Sequence, residues 1–207
     1  MHIWLSYYGN GYTAAGWTRT QREQNVDIIA SYFYSKGWTI EAIAAMLGNI
    51  EAESYINPAQ WEHSYPVEQT PAVGGYGLVQ WTPWTKYSNW CGADWKTDYD
   101  RELERIFYEY EADIDSPNSV QWISTQTYPL SFYQFSQATI AQYTIEWLAL
   151  CFFKDYERGV GGETARQNNA LYWYQYLLAN PPQPWEPTEV TKKFKLMFYL
   201  KPWWKRI

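Results

Sequence analysis

Apolar side chains recur at helical spacing in the first quarter of the chain. Two groups follow the order i, i+3, i+4, i+7: Val26, Ile29, Ala30 and Phe33, and then Ile43, Met46, Leu47 and Ile50. This spacing places each group on one face of an α-helix. Thr20 and Glu23 have the spacing of a capping box, and Thr39 can cap the next helix. We therefore predict one helix that begins near Thr20 and ends at Gly37, and a second that runs from Thr39 towards Asn57-Pro58.

The next stretch, residues 59–81, has no helical period and is rich in proline and glycine. We interpret it as a loop with a small β-hairpin. Thr82 precedes Pro83, so its hydroxyl group is expected to cap a short helix that runs towards Cys91.

Three further helices are predicted in the second half of the chain. The first carries an apolar face at Leu103, Ile106, Phe107 and Tyr110. Thr139 and Gln142 form another capping-box pattern, which opens an apolar helix that runs to about Asp155. The last helix carries the stripe Ala170, Trp173, Tyr174 and Leu177. The predicted fold class is mainly α (α+β), a helical domain with a small β-hairpin element.

Proline marks the end of this domain, because residues 181–187 are Pro-rich and indicate a linker. We predict an N-terminal arm at residues 1–19, the domain at 20–180, and a linker with a basic and aromatic tail at 181–207. The chain has 16 basic and 22 acidic residues. Six of the basic residues and none of the acidic ones lie from residue 192 onward. The remaining body is strongly acidic, which disfavours nucleic acid as a partner.

Several site classes are disfavoured by what the chain lacks. No apolar stretch approaches the roughly 18 residues of a membrane span, so we expect no transmembrane segment, and residues 1–10 lack the pattern of a secretory signal. His2 and His63 are far apart, and neither Cys91 nor Cys151 has a neighbouring histidine. We therefore expect two free thiols, no metal site and no cofactor.

The segment Glu51 to Pro58 holds the most informative carboxylate. Glu53 follows Met46 by seven residues and Ile50 by three, which places it on the apolar face, whereas Glu51 points elsewhere. Partial burial and the negative end of a helix dipole both raise the pKa of a carboxyl group. Glu53 is thus a candidate general acid for glycoside hydrolysis. The alternative is a structural glutamate bound to an arginine or to backbone donors.

A second candidate element is the Gly-rich stretch from Gly74 to Trp81. Its glycines allow a backbone to approach a ligand, and Tyr76, Gln80 and Trp81 offer two rings and an amide beside it. Aromatic residues make up 20% of the chain and most should lie in the core, but rings also stack on sugars. Trp61 and Trp81, in a loop and a turn, are the tryptophans most suited to a ligand.

Together these elements resemble a known pattern. ESYINP followed by GGYGLVQWT is similar to the glutamate and Gly-x-Gly-Leu-x-Gln motifs of the goose-type lysozyme and lytic transglycosylase superfamily. The closer resemblance is to the phage tail lysozyme family, which includes tail-tip cell-wall-degrading proteins of short-tailed phages. The stretches KGWTIEAIAAMLGN, 100–111 and 153–158 also match, so the resemblance spans about residues 21–178. It implies a lysozyme-like fold with a cleft for the glycan strand of peptidoglycan.

The resemblance also implies roles for individual residues. Glu53 matches the catalytic glutamate and Gln80 the glutamine of the cleft. Tyr156 is a candidate for a cleft tyrosine, although Glu157 and Arg158 beside it could instead form a structural ion pair. Val79 stands where transglycosylases usually carry methionine, which favours hydrolysis.

A second carboxylate is less well defined by the sequence. Inverting glycosidases place a base about 6.5–9.5 Å from the acid, and retaining ones place a nucleophile about 5–5.5 Å away. Glu62 and Glu68, in the loop before the glycines, are the two candidates. Relatives that rely on one dominant glutamate would need neither.

The resemblance implies a muramidase that cleaves the β-1,4 bond between N-acetylmuramic acid and N-acetylglucosamine during phage DNA entry. The alternatives are a lytic transglycosylase with 1,6-anhydro products and a non-catalytic glycan-binding or tail structural module. The expected location is the virion, at the phage tail tip. Tail proteins are candidate partners through the N-terminal arm or the C-terminal tail.

Overall fold

The chain folds into a mainly helical domain, which confirms the predicted class. The computed structural model describes residues 3–6, 17–62, 73–115 and 121–185. Within these ranges the helices are α1 (Arg19–Ser35), α2 (Ile40–Ser54), α3 (Thr85–Cys91), α4 (Asp100–Asp115), α5 (Phe132–Ser136), α6 (Ile145–Phe152) and α7 (Glu163–Ala179). A π-helical segment, Phe153–Glu157, continues α6 without a break.

The predicted β-hairpin is not confirmed. In the described part of 59–81, strand-like pairing is limited to two isolated bridges, Trp61 with Tyr76 and Tyr76 with Trp81. Gly77 and Gln80 both have left-handed backbone angles, φ 82° and 50°, so the chain turns back too tightly for two strands to extend. The remainder of the predicted hairpin, 63–72, lies outside the described residues.

Three predicted helix caps also differ from the structure. Thr18, not Thr20, caps α1, where it accepts a hydrogen bond from the Gln21 N–H and the Gln21 side chain bonds back. Thr144, not Thr139, caps α6. In both cases the cap is the threonine with extended backbone angles, which residue spacing alone does not identify.

The short helix α3 begins at Thr85 without a side-chain cap. The Thr82 hydroxyl instead donates to the carbonyl oxygen of Gln80 at 2.9 Å. Thr39 does cap α2, as predicted, by accepting from the Ala42 N–H.

The predicted apolar faces form the core. Their members in α1 and α2 are all fully buried, as are Leu103, Ile106, Ala170, Trp173 and Leu177. Phe107 and Tyr174 are only partly buried against this core. Trp38 lies near its centre, with ring centroids 4.6 Å from Phe33 and 5.5 Å from Phe132. Cys91 and Cys151 are free thiols, as expected.

Both described ends of the chain pack on the helical body. The Trp4 indole N–H donates to Asp100 Oδ1 at 2.8 Å, and the Trp17 indole donates to the Tyr55 carbonyl oxygen at 2.6 Å. Trp185 packs edge-on against Tyr32, with centroids 5.0 Å apart. The limits of the arm and tail stay a prediction, since residues 7–16 and 186–207 lie outside the described ranges.

No described helix is both long enough and apolar enough to cross a membrane.

Helices α2 and α7 touch backbone to backbone at Gly48. A Cβ atom added there would lie 2.6 Å from both Ala170 N and Arg166 O. The absence of a side chain at Gly48 therefore sets the distance between the two helices. Asn49, the next residue, donates from Nδ2 to the Ala149 carbonyl oxygen at 2.9 Å and so joins α2 to α6.

We expect Gly48→Ala to lower the free energy of unfolding by about 1–3 kcal/mol, because α7 must move to admit the methyl group. At an open helix position the same change would stabilise the protein by up to about 1 kcal/mol, since alanine is the better helix former. Urea unfolding of both proteins measures the sign. A more stable Gly48→Ala protein would contradict the close packing.

Candidate active site

A cavity of about 520 Å³ opens between α2, the turn at 79–82, the π-helical segment and α7. It brings together five of the eight predicted site residues: Glu53, Glu62, Gln80, Trp81 and Tyr156. We call this cavity the cleft. A larger groove of about 680 Å³ between α1 and residues 180–185 has one lining carboxylate, Asp27, which accepts a hydrogen bond from the Tyr176 hydroxyl. The carboxylates therefore converge in the smaller cavity, which Glu53, Glu62 and Glu157 line.

Glu53 lies in the last turn of α2, just before Tyr55 ends the helix with a left-handed backbone. Its side chain is 22% exposed, so the predicted partial burial holds. Glu51 points away from the cleft, as predicted, but it is buried more deeply. Its carboxylate accepts hydrogen bonds from Arg19, at 3.2 Å, and from Arg22.

Arg166 of α7 binds the Glu53 carboxylate directly. Its Nη2 donates to Glu53 Oε1, and the same nitrogen lies 3.4 Å from Glu157 Oε2. The guanidinium packs 4.0 Å from the centre of the Phe153 ring. Sequence reasoning missed Arg166, although it stands four residues before Ala170, in line with the apolar stripe of α7.

Glu157 faces Glu53 across this arginine. Its side chain is 7% exposed, and its Oε1 accepts no hydrogen bond from any described residue. Burial and then the negative charge of Glu53 raise the pKa of Glu157 well above its usual range, and Arg166 only partly opposes this. The same Arg166 nitrogen contacts both carboxyl groups, which makes Glu53 and Glu157 neighbours. Two carboxyl groups share a hydrogen bond only when one of them carries a proton.

The alternative ion pair between Glu157 and Arg158 is not formed. Arg158 has a left-handed backbone, φ 56°, which ends the π-helical segment and turns its side chain away from Glu157. Its Nη1 donates instead to the Gln121 carbonyl oxygen at 2.5 Å.

Gln80 stabilises the turn that forms one wall of the cleft. Its Nε2 donates to the carbonyl oxygens of Gln60, at 3.1 Å, and Gly77, at 2.9 Å. Its Oε1 is buried and accepts no hydrogen bond from the described residues. This oxygen packs against Gly75 inside the turn, where an added Cβ atom would lie 2.9 Å from it.

Glu102 supports the same turn from below, and sequence reasoning missed it. Its Oε2 accepts a hydrogen bond from the Leu78 N–H at 2.6 Å. A Cβ atom on Gly77 would lie 2.7 Å from this oxygen, so only glycine fits there. Burial raises the pKa of Glu102 well above its usual range, with the Leu78 N–H acting in the opposite direction.

Tyr156 lines the cleft, but its hydroxyl group points away from it. The hydroxyl donates to Glu109 Oε2 at 2.5 Å, and Arg105 Nε donates to Glu109 Oε1 at 2.8 Å. The tyrosine hydroxyl therefore supplies a hydrogen bond to one oxygen of a buried carboxylate.

Tyr76 and Trp61 do not line the cleft. Tyr76 is fully buried, with its ring 4.9 Å from Trp61 and 4.8 Å from Trp95. Trp81 does line the cleft, yet one of its faces is covered by Tyr87, stacked at 4.8 Å. These rings hold the turn in place and leave little aromatic surface for a ligand.

Glu62 is the described candidate for a second carboxylate. It lines the cleft, and its Oε2 accepts a hydrogen bond from the Gly75 N–H at 2.8 Å. Glu157 is less suited to that role, because it is buried and shares Arg166 with Glu53. Glu68, the other candidate, lies outside the described residues.

Comparisons with known proteins agree with this geometry. The phage tail lysozyme family matches residues 24–177. Morphogenesis protein 1 of Bacillus phage B103 is 36% identical over 156 residues, which are 74% of this chain and 39% of that protein. The chain thus spans about two fifths of the length of that relative. The match covers the helices and turns that form the cleft, and the chain belongs to the phage tail lysozyme family.

Proposed function

We propose that the chain is a muramidase that hydrolyses the β-1,4 bond between N-acetylmuramic acid and N-acetylglucosamine in peptidoglycan. The observation that carries this proposal is the half-buried Glu53, which lines the cleft beside Arg166 and a second carboxyl group. Membership of a lysozyme family supports the glycosidase class. Glu53 is the proposed general acid.

In this mechanism Glu53 gives its proton to the glycosidic oxygen, and the bond from C1 to that oxygen breaks. The electron pair goes to the leaving oxygen while positive charge develops at C1. A water molecule then adds to C1 and gives up a proton. Glu62 is the proposed acceptor of that proton. Gln80, which lines the cleft, is a proposed contact of the sugar.

A lytic transglycosylase is the second candidate, and one feature of the cleft favours it. Glu62 is held by the Gly75 N–H, and Glu157 lies beside the acid, so a free second carboxylate is lacking among the described cleft residues. In that reaction Glu53 gives its proton to the glycosidic oxygen as the bond from C1 to that oxygen breaks. The C6 hydroxyl oxygen of the sugar attacks C1 to give a 1,6-anhydro product, and the C6 hydroxyl proton returns to Glu53. Val79 in place of methionine still favours hydrolysis.

The proposed setting is the virion, at the tail tip, where the enzyme would open the cell wall locally as phage DNA enters. The similarity to a phage morphogenesis protein supports a phage context. The N-terminal arm and the basic C-terminal tail are the proposed contacts with tail proteins.

Glu53→Gln should abolish the release of fragments from Gram-positive peptidoglycan, because an amide has no proton to give to the leaving oxygen. Mass spectrometry identifies the products, and circular dichroism checks that the variant is folded. Glu51→Gln is the matched control, since it changes a more deeply buried carboxylate of the same helix that does not line the cleft. It should release the same fragments as the wild type.

Reducing-end muropeptides from the wild type would establish a muramidase. Fragments lighter by one water would establish a transglycosylase instead. Binding without fragments from any of the three proteins would contradict both enzymes and favour a glycan-binding module.

Tyr156→Phe should lower the free energy of unfolding by about 1–3 kcal/mol, because buried Glu109 loses a hydrogen-bond donor. The rate of glycan cleavage should change less than tenfold, since the hydroxyl does not face the cleft. Urea unfolding and turnover are measured side by side, with Tyr133→Phe as the control. Tyr133 is 51% exposed, so that change should stay within about 0.5 kcal/mol. A hundredfold loss of rate at unchanged stability would place the hydroxyl on the substrate.

A further inference from the structure

Three charged side chains from three different elements meet at the wall of the cleft. Glu53 comes from α2, Glu157 from the π-helical segment and Arg166 from α7. We propose that Glu157 and Arg166 are positioning residues that keep one proton on the Glu53 and Glu157 carboxyl pair, so that Glu53 meets the substrate with a proton to give. This inference rests on the proposed function in assigning that proton to the glycosidic oxygen.

The charges of the cluster call for such a proton. Arg166 can compensate one carboxylate, and a second one beside it, 7% exposed, would be left without a cation. Glu157 Oε1 is the buried oxygen of the pair that accepts no hydrogen bond from the described residues. A proton shared between the two carboxyl groups removes the excess charge and supplies the missing hydrogen bond.

The charged groups around the cluster do not replace this proton. Lys86, Arg158 and Glu62 also line the cleft, but Arg158 donates to Gln121 and Glu62 accepts from Gly75. Behind Glu157, Lys154 is paired with Glu163 at 2.8 Å. Tyr156 and Arg105 are both bound to Glu109. Among the residues that the structure describes, Arg166 is the one cation in contact with the pair.

The two positioning residues act in opposite directions on the proton. A guanidinium favours the ionised form of a carboxyl group beside it. The neighbouring carboxyl group of Glu157 opposes that ionisation, because the two negative charges repel. When Glu53 has given its proton to the leaving oxygen, Arg166 stabilises the carboxylate that remains. After the reaction, Glu62 releases to solvent the proton that it took from the attacking water, and the pair takes up a proton from solvent.

The pH dependence of kcat tests this arrangement in the full chain. Above the pH at which the pair loses its proton, kcat should fall. In Glu157→Gln this decline should begin at least one pH unit lower, which lowers kcat at pH 7 by tenfold or more. In Arg166→Met the decline should move to higher pH, because the cation is lost. KM should stay within threefold in both variants.

Glu51→Gln is the control, since it removes a buried carboxylate that two arginines compensate. It should leave the position of the decline unchanged whatever it does to the melting temperature. If Glu157 and Arg166 had a purely structural role, the two substitutions would lower stability without moving the pH of the kcat decline in opposite directions. An unshifted decline in folded Glu157→Gln, or a shift to lower pH in Arg166→Met, would overturn the inference.

A titration that needs no turnover separates this inference from the proposed function. NMR of the chain with 13C-labelled glutamate carboxyl groups follows Glu53 directly, and Glu53→Gln assigns its signal. The Glu53 midpoint should fall by at least one pH unit in Glu157→Gln and rise in Arg166→Met. Midpoints that do not move overturn the pair even in an active enzyme. If the Glu53 midpoint shifts in the two variants as expected but the wild type cleaves no glycan, the result supports the pair and overturns the muramidase.

Discussion

The close contact of α2 with α7 at Gly48 is the constraint on which the rest of the site depends. Arg166 joins α7 to α2 in two ways. Its carbonyl oxygen lies against Gly48, and its guanidinium group binds Glu53. A bulkier residue at Gly48 would separate the helices and withdraw the arginine from the cleft wall. The buried contact and the electrostatics of the cleft are therefore one feature of the fold, since the same turn of α7 provides both.

The domain contains several buried acids, and the way each is compensated distinguishes structural ones from those with a chemical role. Glu51 has two arginines, and Glu109 has Tyr156 and Arg105. Among the described residues Glu102 has the Leu78 N–H as its hydrogen-bond donor, but it lies under the turn rather than in the cleft. Glu53 and Glu157 share a single arginine at the cleft wall. Incomplete compensation occurs there next to space for a ligand, which is where a transferable proton is useful.

The sequence was informative where the structure follows from local periodicity. The stripes that begin at Val26 and Ile43 predict α1 and α2 because helical spacing puts apolar residues on one buried face. Glu53 follows from the same reasoning. The caps at Thr18 and Thr144 do not, because a helix cap depends on backbone angles and two threonines compete for each position. The partner of Glu157 was missed because it is chosen by tertiary packing, nine residues along the chain and on another helix, rather than by adjacency to Arg158.

The aromatic residues show why composition is a weak guide to the ligand surface. Rings are abundant around the cleft, yet Tyr76, Trp61 and Trp95 pack on one another behind the turn rather than in front of it. This support is needed because Gln80 adopts a left-handed backbone that a non-glycine residue does not hold unaided. The fixed turn then holds Gln80 in the wall of the cleft. On this argument the aromatic cluster contributes rigidity, and recognition falls to the few polar atoms that the rigid turn positions.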